Sequence, residues 1–217
     1  MLLKDNKALE APQKKLLKEL MSLEALADYC LVGGTNLAFR YEHRISVDLD
    51  IFRYNKNANK EVNTALFAEI KEVFGDAVQL NGISKIGIFM YINDVKVDVI
   101  EYPYPFFNIQ TLDGIRLASK EDICAMKINA IVGRGSRKDF YDLNQLLKEY
   151  SLAKILELYK EKYANNNMQM IMRSLIYFLD ADNDDERNNQ IISLRGEKWE
   201  NVKKEIEEKY NELFMNR

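Results

Sequence analysis

Near the start of the chain, Leu16, Leu20, Leu23 and Ala27 recur at the interval that lines one helix face, with Lys14, Lys15, Lys18 and Glu19 between them. Pro12 stands near the beginning of that segment, where its missing amide costs little. The apolar run Tyr29-Cys30-Leu31-Val32 stops at Gly33-Gly34, which predicts a buried strand leading into a turn. Asn36 to Tyr41 reads as a short helix and Val47 to Phe52 as a second strand. Helical spacing returns over residues 59–74 through Val62, Leu66, Ile70 and Val73, and Gly75-Asp76 closes it. Strand-like stretches follow at Ala77 to Leu80, Lys85 to Ile92 and Val95 to Glu101, the last two joined by a tight turn at Asn93-Asp94. Two prolines in Tyr102-Pro103-Tyr104-Pro105 interrupt sheet pairing and are expected to end the strand content.

From Ser119 onward the pattern is helical. Ser119-Lys120-Glu121-Asp122 has the form of a helix start with carboxylates in its first turn. Gly133 and Gly135 divide a helix around Lys127 from one over Arg137 to Tyr150. Further helices are expected over residues 152–164, 167–180 and 197–214, with Asp182 to Glu186 as an acidic loop. The sequence contains neither an internal repeat nor a low-complexity tract. The predicted class is α+β: a small mixed β-sheet half packed with helices over residues 1–117, then an all-helical half over residues 118–217.

Composition narrows the picture. With 47% apolar and 30% charged residues, 217 residues can bury a core without staples, which excludes a fibre or a disordered tail. No apolar run approaches the ~20 residues of a membrane-spanning helix, and charges come early, so a cytoplasmic protein without a membrane partner is expected. Cys30 and Cys124 fit neither a metal spacing nor a disulfide framework and read as free, buried thiols. A net charge of -3 argues against a non-specific nucleic-acid coat. Locally, residues 116–138 carry six basic side chains (Arg116, Lys120, Lys127, Arg134, Arg137, Lys138) against Glu121 and Asp122, a net of +4. That strip could admit a polyanion or be a solvated helix face. The single histidine restricts imidazole catalysis and zinc binding and leaves carboxylates to carry chemistry.

Three carboxylates stand out. In Val47-Asp48-Leu49-Asp50-Ile51-Phe52, strand alternation puts both aspartates on one face and Val47, Leu49 and Ile51 on the other. Asp98 repeats the arrangement, sharing a face with Lys96 while Val95, Val97 and Val99 take the opposite one. Like charges side by side against a core are unfavourable unless a cation neutralises them or water reaches them. Oxygen-only ligands suit Mg2+ or Mn2+; the alternative is a polar edge strand. Upstream, the strand ending at Val32 runs through Gly33-Gly34-Thr35 into a helix start, where glycine amides and the helix dipole favour a phosphate.

A Gly-Gly-Thr turn, an Asp-x-Asp strand shortly after it and a later strand aspartate resemble the DNA polymerase β-like nucleotidyltransferases. The fuller text, Gly33-Gly34-Thr35-Asn36-Leu37-Ala38 followed by His43-Arg44-Ile45-Ser46-Val47-Asp48-Leu49-Asp50, is similar to the AbiEii/AbiGii branch, which contains toxins of toxin–antitoxin and phage-defence systems. A second signature is similar to Glu121-Asp122-Ile123-Cys124-Ala125-Met126-Lys127 and Arg134-Gly135-Ser136-Arg137-Lys138-Asp139-Phe140-Tyr141-Asp142-Leu143, so the resemblance covers residues 30–145. It implies metal-dependent transfer of a nucleoside monophosphate from a nucleoside triphosphate to an acceptor hydroxyl on RNA, tRNA included, or on protein. It also implies a cognate antitoxin as partner. By the same resemblance Gly33, Gly34, Thr35, Arg44 and Ser46 bind the triphosphate, and Asp48, Asp50 and Asp98 hold Mg2+ or Mn2+. Lys127 reaches the phosphates from a helical half that closes over the nucleotide, and Asp142, or Asp139 one turn earlier, completes the site.

From the residues alone, Lys127 among Ile123, Ala130 and Ile131 is expected to face a cleft rather than be buried, or to be solvated. Asp139 and Asp142 share a helix face and could instead pair with Arg137 and Lys138. Arg44 suits a bidentate phosphate clamp or a surface pairing, and His43 a structural role. The alternative function is a catalytically silent scaffold that binds nucleotides or a protein partner.

Overall fold

The computed structural model describes residues 2–55, 63–164, 167–183 and 191–215. The chain divides into two compact units, one formed by Met1–Tyr41 and Ser46–Ser119, the other by Glu42–Ile45 and Lys120–Arg217. The fold class is α+β.

In the first unit, β1 (Tyr29–Leu31), β2 (Leu49–Arg53), β3 (Val78–Ser84), β4 (Gly87–Ile92), β5 (Val95–Ile100), β6 (Ile109–Leu112) and β7 (Ile115–Ala118) make a seven-stranded sheet in the order β3-β4-β5-β2-β1-β7-β6. The β1–β7 and β2–β5 pairs are parallel and the remaining pairs antiparallel. Two tight hairpins set the outer registers. Asn93-Asp94 and Asp113-Gly114 adopt positive φ, the backbone that a two-residue connection needs to match strand twist. The second hairpin corrects the expectation that strands end at the proline segment; prolines break pairing only locally, and the chain re-enters the sheet at Ile109.

One face of this sheet carries Leu49, Ile51, Val97, Val99, Ile88, Met90 and Ile92, all buried in the core of the unit. Helix α1 (Ala11–Ser22) contributes Leu16, Leu17 and Leu20 to that core, and α3 (Asn63–Phe74) contributes Leu66 and Ile70. Each such side chain stabilises the fold by about 1.5–3 kcal/mol through area removed from water. The expected start of the latter helix, residues 59–62, lies outside the described residues. Helix α2 (Gly33–Tyr41) starts at the glycines themselves, earlier than the side-chain pattern suggests. It is locked to the sheet by buried Asn36, whose Nδ2 donates to the carbonyls of Leu31 at 2.8 Å and Ala118 at 3.0 Å. Val47 departs from its expected inward face: β2 begins at Leu49, so Val47 is still in the preceding loop and is 54% exposed.

The second unit is helical: α4 (Lys120–Gly133), α5 (Arg137–Leu146), α6 (Leu152–Tyr163), α7 (Met168–Leu175), α8 (Leu179–Asn183) and α9 (Trp199–Met215). Of the expected acidic loop, Asp182 falls within α8 and residues 184–186 lie outside the described residues. Gly135, at φ 52°, ends α4, and the amides of Arg134 and Gly135 both donate to the carbonyl of Ala130. Phe140, Phe178 and Trp199 pack ring on ring, with centroids 5.0–5.9 Å apart. The segment 42–45 joins this unit by backbone pairing, the amide of Ile45 donating to Ile192 and that of Leu194 to His43. Cys30 and Cys124 are buried, and burial pushes the Cys124 thiol up. Among the described residues no helix is long and apolar enough to cross a membrane.

A fully buried ion pair ties α4 to α6, Lys162 Nζ lying 2.8 Å from Asp122 Oδ1. Removing one partner strands a buried charge. Lys162→Met is expected to destabilise the protein by about 3–5 kcal/mol in urea unfolding, with Asp122→Asn added to it recovering much of the loss. Equal stability of Lys162→Met and the parent would contradict this assignment.

Candidate functional site

The residues singled out from the sequence fall into two sets, one in each unit. In the first unit, strand alternation places Asp50 on the sheet face opposite the core, and the parallel register sets it directly beside Asp98. Gly33 lies against Asp50. Its φ of +68° is one that L side chains rarely adopt, and a Cβ there would collide with Asp50 Oδ2. The glycine is therefore required twice, for the turn and for the carboxylate. Gly34 follows it in the first turn of α2.

Thr35 is buried, and its hydroxyl donates to the backbone carbonyl of Asp48 and lies 2.8 Å from Ser46 Oγ. The geometry gives Thr35 and Ser46 a clear local task, which is to pin the loop that presents Asp48. Lys96, two residues before Asp98, reaches it with Nζ 2.6 Å from Oδ2. Burial alone would lower the Lys96 pKa. The hydrogen bond to Asp98 and the charges of Asp98, Asp48 and Asp50 outweigh this and raise it. Lys96 is thus a cation set among three carboxylates, and its i, i+2 spacing from Asp98 was the signal for it. The other oxygen, Asp98 Oδ1, is buried and has no hydrogen-bond partner.

Among the described residues no group of three or more His, Cys, Asp or Glu side chains is gathered tightly enough to hold a metal by itself. The pair Asp50–Asp98 nonetheless fits a hard divalent cation. Its donors are all oxygen, one of them is buried without a partner, and Mg2+ is commonly held by one or two carboxylates together with substrate phosphates.

In the second unit, Arg44, Lys127, Asp139 and Asp142 converge on one buried network. Arg44 grips Asp142 with two parallel bonds, Nε to Oδ1 at 2.7 Å and Nη2 to Oδ2 at 2.8 Å. His43 Nε2 lies 2.7 Å from Asp142 Oδ1. Lys127 Nζ bridges Asp142 Oδ2 at 2.5 Å and Asp139 Oδ1 at 3.0 Å. Asp139 also accepts from Arg134 Nε at 2.8 Å and from Ser136 Oγ at 2.7 Å. Burial opposes ionisation of Asp142, but Arg44, Lys127 and His43 hold its carboxyl well below the usual range. Asp139 is likewise held down by Lys127, Arg134 and Ser136.

Lys127 is only 4% exposed, contrary to the expectation of a cleft-facing or solvated lysine; two aspartates one turn apart on α5 supply the charge that lets it stay ionised inside. Spacing identified Asp139 and Asp142 as co-facial but gave no sign that their partner is Lys127 on another helix. Arg134 and Ser136 were not foreseen as members of the network.

Five of the six basic residues of the 116–138 strip meet protein groups, Lys127 as described. Arg116 belongs to the first unit and donates to the carbonyls of Tyr29, Met21 and Leu26. Lys120 pairs with Glu149, Arg134 with Asp139, and Arg137 sits 5.1 Å over the ring of Trp199.

His43 provides a direct test of the second network. Burial lowers its pKa below the ordinary 6.5, so the ring is neutral at pH 7 and Nε2–H donates to Asp142, which can only accept. The unfolded chain takes up a proton near pH 6.5 that the folded chain refuses. Stability is thus full above that pH and falls as pH drops from it toward the folded value, at up to about 1.4 kcal/mol per pH unit. As the chain has a single histidine, His43→Gln is expected to flatten this slope between pH 6.5 and 5 in denaturant titrations. An unchanged slope would show that His43 titrates normally.

Comparison with known proteins bears on the family and the fold. The profile of the family described as "Nucleotidyl transferase AbiEii toxin, Type IV TA system" matches residues 15–212. An uncharacterized protein of Aquifex aeolicus strain VF5 is 31% identical over 213 residues, covering 96% of this chain and 98% of that protein. A Helicobacter pylori protein solved as a candidate nucleotidyltransferase superposes with a TM-score of 0.53 at 19% identity, over 90% of this chain and 88% of the other. The structure of JHP933, also from Helicobacter pylori, superposes with a TM-score of 0.55 at 17% identity, over 90% and 86%. The two superpositions show a shared fold.

Proposed function

The chain belongs to the AbiEii family of nucleotidyltransferase toxins, and from that premise we propose that it transfers a nucleoside monophosphate from a nucleoside triphosphate to an acceptor hydroxyl. The observation that carries the reading is the placement of Gly33, at the head of α2, against the Asp50 carboxylate, with Asp98 in register beside it. A glycine-headed helix start suits a phosphate, and the adjoining acids suit the cation that accompanies it.

In this reading Asp50 and Asp98, with Asp48 on the adjoining loop, hold Mg2+ or Mn2+, which when bound neutralises the triphosphate and favours ionisation of the acceptor hydroxyl. Gly33 and Gly34 offer backbone amides to the phosphates. Thr35 and Ser46 position Asp48 through its backbone. Asp98 keeps Oδ2 on Lys96 and has Oδ1 for the cation, and the proton lost by the acceptor hydroxyl passes to water. The acceptor oxygen bonds to the α-phosphorus, the bond to the β-phosphate oxygen breaks, and pyrophosphate leaves with those electrons. In the second unit, Asp139 and Asp142 already accept from protein donors at every oxygen. They serve as positioning residues that fix the cations Lys127 and Arg44 within that unit. The acceptor is RNA, tRNA included, or protein, and an antitoxin is the expected partner of a toxin of this family.

Asp50→Asn keeps the side chain's shape and removes its charge. It is expected to abolish transfer of labelled nucleotide to macromolecules in a cell extract, by at least about a hundredfold, while the fold is retained by circular dichroism. Chelation of divalent ions should do the same to the parent protein. Magnesium-dependent triphosphate binding without pyrophosphate release would instead identify a silent scaffold.

A further inference from the structure

We propose that Phe52, Tyr102, Tyr104 and Phe106 form a platform on the carboxylate face of the sheet that stacks the base of the nucleoside triphosphate; the assignment rests on the reading of Asp50 and Asp98 as the phosphate end. Along β2 the buried residues Leu49 and Ile51 alternate with Asp50 and Phe52, so the ring of Phe52 shares a face with the carboxylate. The parallel register makes this regular. Asp50 lies beside Asp98, and Phe52 beside Ile100, giving an acidic row and an apolar row about 7 Å apart along the strands. A ribose bridges just such a step between a phosphate and a base.

The apolar row continues into an aromatic cluster. The Phe52 ring lies 5.2 Å from that of Tyr102, which in turn meets Tyr104 at 5.5 Å and Phe106 at 5.2 Å. Pro103 and Pro105 alternate with these aromatics, fix φ and withhold amide donors, so the segment does not join the sheet. Here Tyr104 is 38% exposed and both flanking prolines are exposed. Aromatic surface kept wet beside a phosphate-type site suits a flat π-system carrying phosphates, and stacking of that kind tolerates any base. The platform therefore adds affinity for a nucleotide over an inorganic polyphosphate without selecting one base.

The test is calorimetric binding of each nucleoside triphosphate, and of inorganic tripolyphosphate, to the full chain with magnesium. Tyr104→Ala is expected to weaken nucleoside triphosphates by about tenfold or more and to leave tripolyphosphate unchanged, with Tyr104→Phe restoring the parent affinity. If the parent binds nucleoside triphosphates no better than tripolyphosphate, or Tyr104→Ala weakens both equally, the platform is refuted while the phosphate site stands. If Tyr104→Ala weakens a short single-stranded RNA and spares the triphosphates, the rings serve the acceptor and the assignment is wrong. If neither triphosphates nor tripolyphosphate bind the parent, the phosphate-site reading falls as well.

Discussion

Two carboxylates held side by side on parallel strands are the constraint around which the first unit is arranged. Asp50 and Asp98 cannot relax apart, because β2 and β5 fix them in register and the alternating residues Leu49, Ile51, Val97 and Val99 are committed to the core. A one-residue slip would bury both charges. The neighbouring residues then follow from that pair. Gly33 is glycine because any side chain would occupy the space of Asp50, and Asn36 holds α2 so that the glycine stays there. Thr35, on the same helix, fastens the backbone of Asp48. Gly33, Thr35 and Asn36 thus serve one geometry through absence of a side chain, a hydroxyl and an amide.

The helical unit solves the opposite problem. Asp139 and Asp142 are buried, and burial alone would drive them to take up protons. Arg44, Lys127, Arg134, His43 and Ser136 prevent that by supplying donors at every carboxylate oxygen. Such networks contribute modestly to net stability because desolvation offsets the attraction. Their effect is to admit one arrangement, since any other leaves a buried charge unpaired. The network also recruits segment 42–45, which in sequence immediately precedes the loop bearing Asp48, into the helical unit.

The parts of this plan that depend on short-range pattern were readable from the sequence. Alternation put Asp50 and Asp98 opposite the core residues, though not Asp48, which precedes the strand; helical spacing put Asp139 and Asp142 on one face, and the Asn93-Asp94 turn gave the β4–β5 hairpin. The Asp113-Gly114 turn carried an equally strong hairpin signal, and it went unused because the prolines before it suggested that the sheet had ended. Long-range pairing was not readable. That Lys127 is enclosed by aspartates on the next helix, or that Arg116 spends its guanidinium on three backbone carbonyls, follows from packing that no local period encodes. Val47 shows the limit in miniature: alternation assigns it a face, but a face exists only where the strand has begun.

The difference between a structural and a chemical carboxylate lies in what its oxygens have left to do. Asp142 is saturated on both oxygens and Asp122 is matched by a lysine as buried as itself, and each acts as a cross-link between elements. Asp98 is built otherwise. Lys96 stabilises its charge through one oxygen, leaving the second in a buried position with a lone-pair demand that the protein does not meet. An unmet acceptor of that kind costs about 1–3 kcal/mol. The same side chain is therefore satisfied in the helical unit and left with an unmet acceptor in the sheet, and the distinction rests on one oxygen atom.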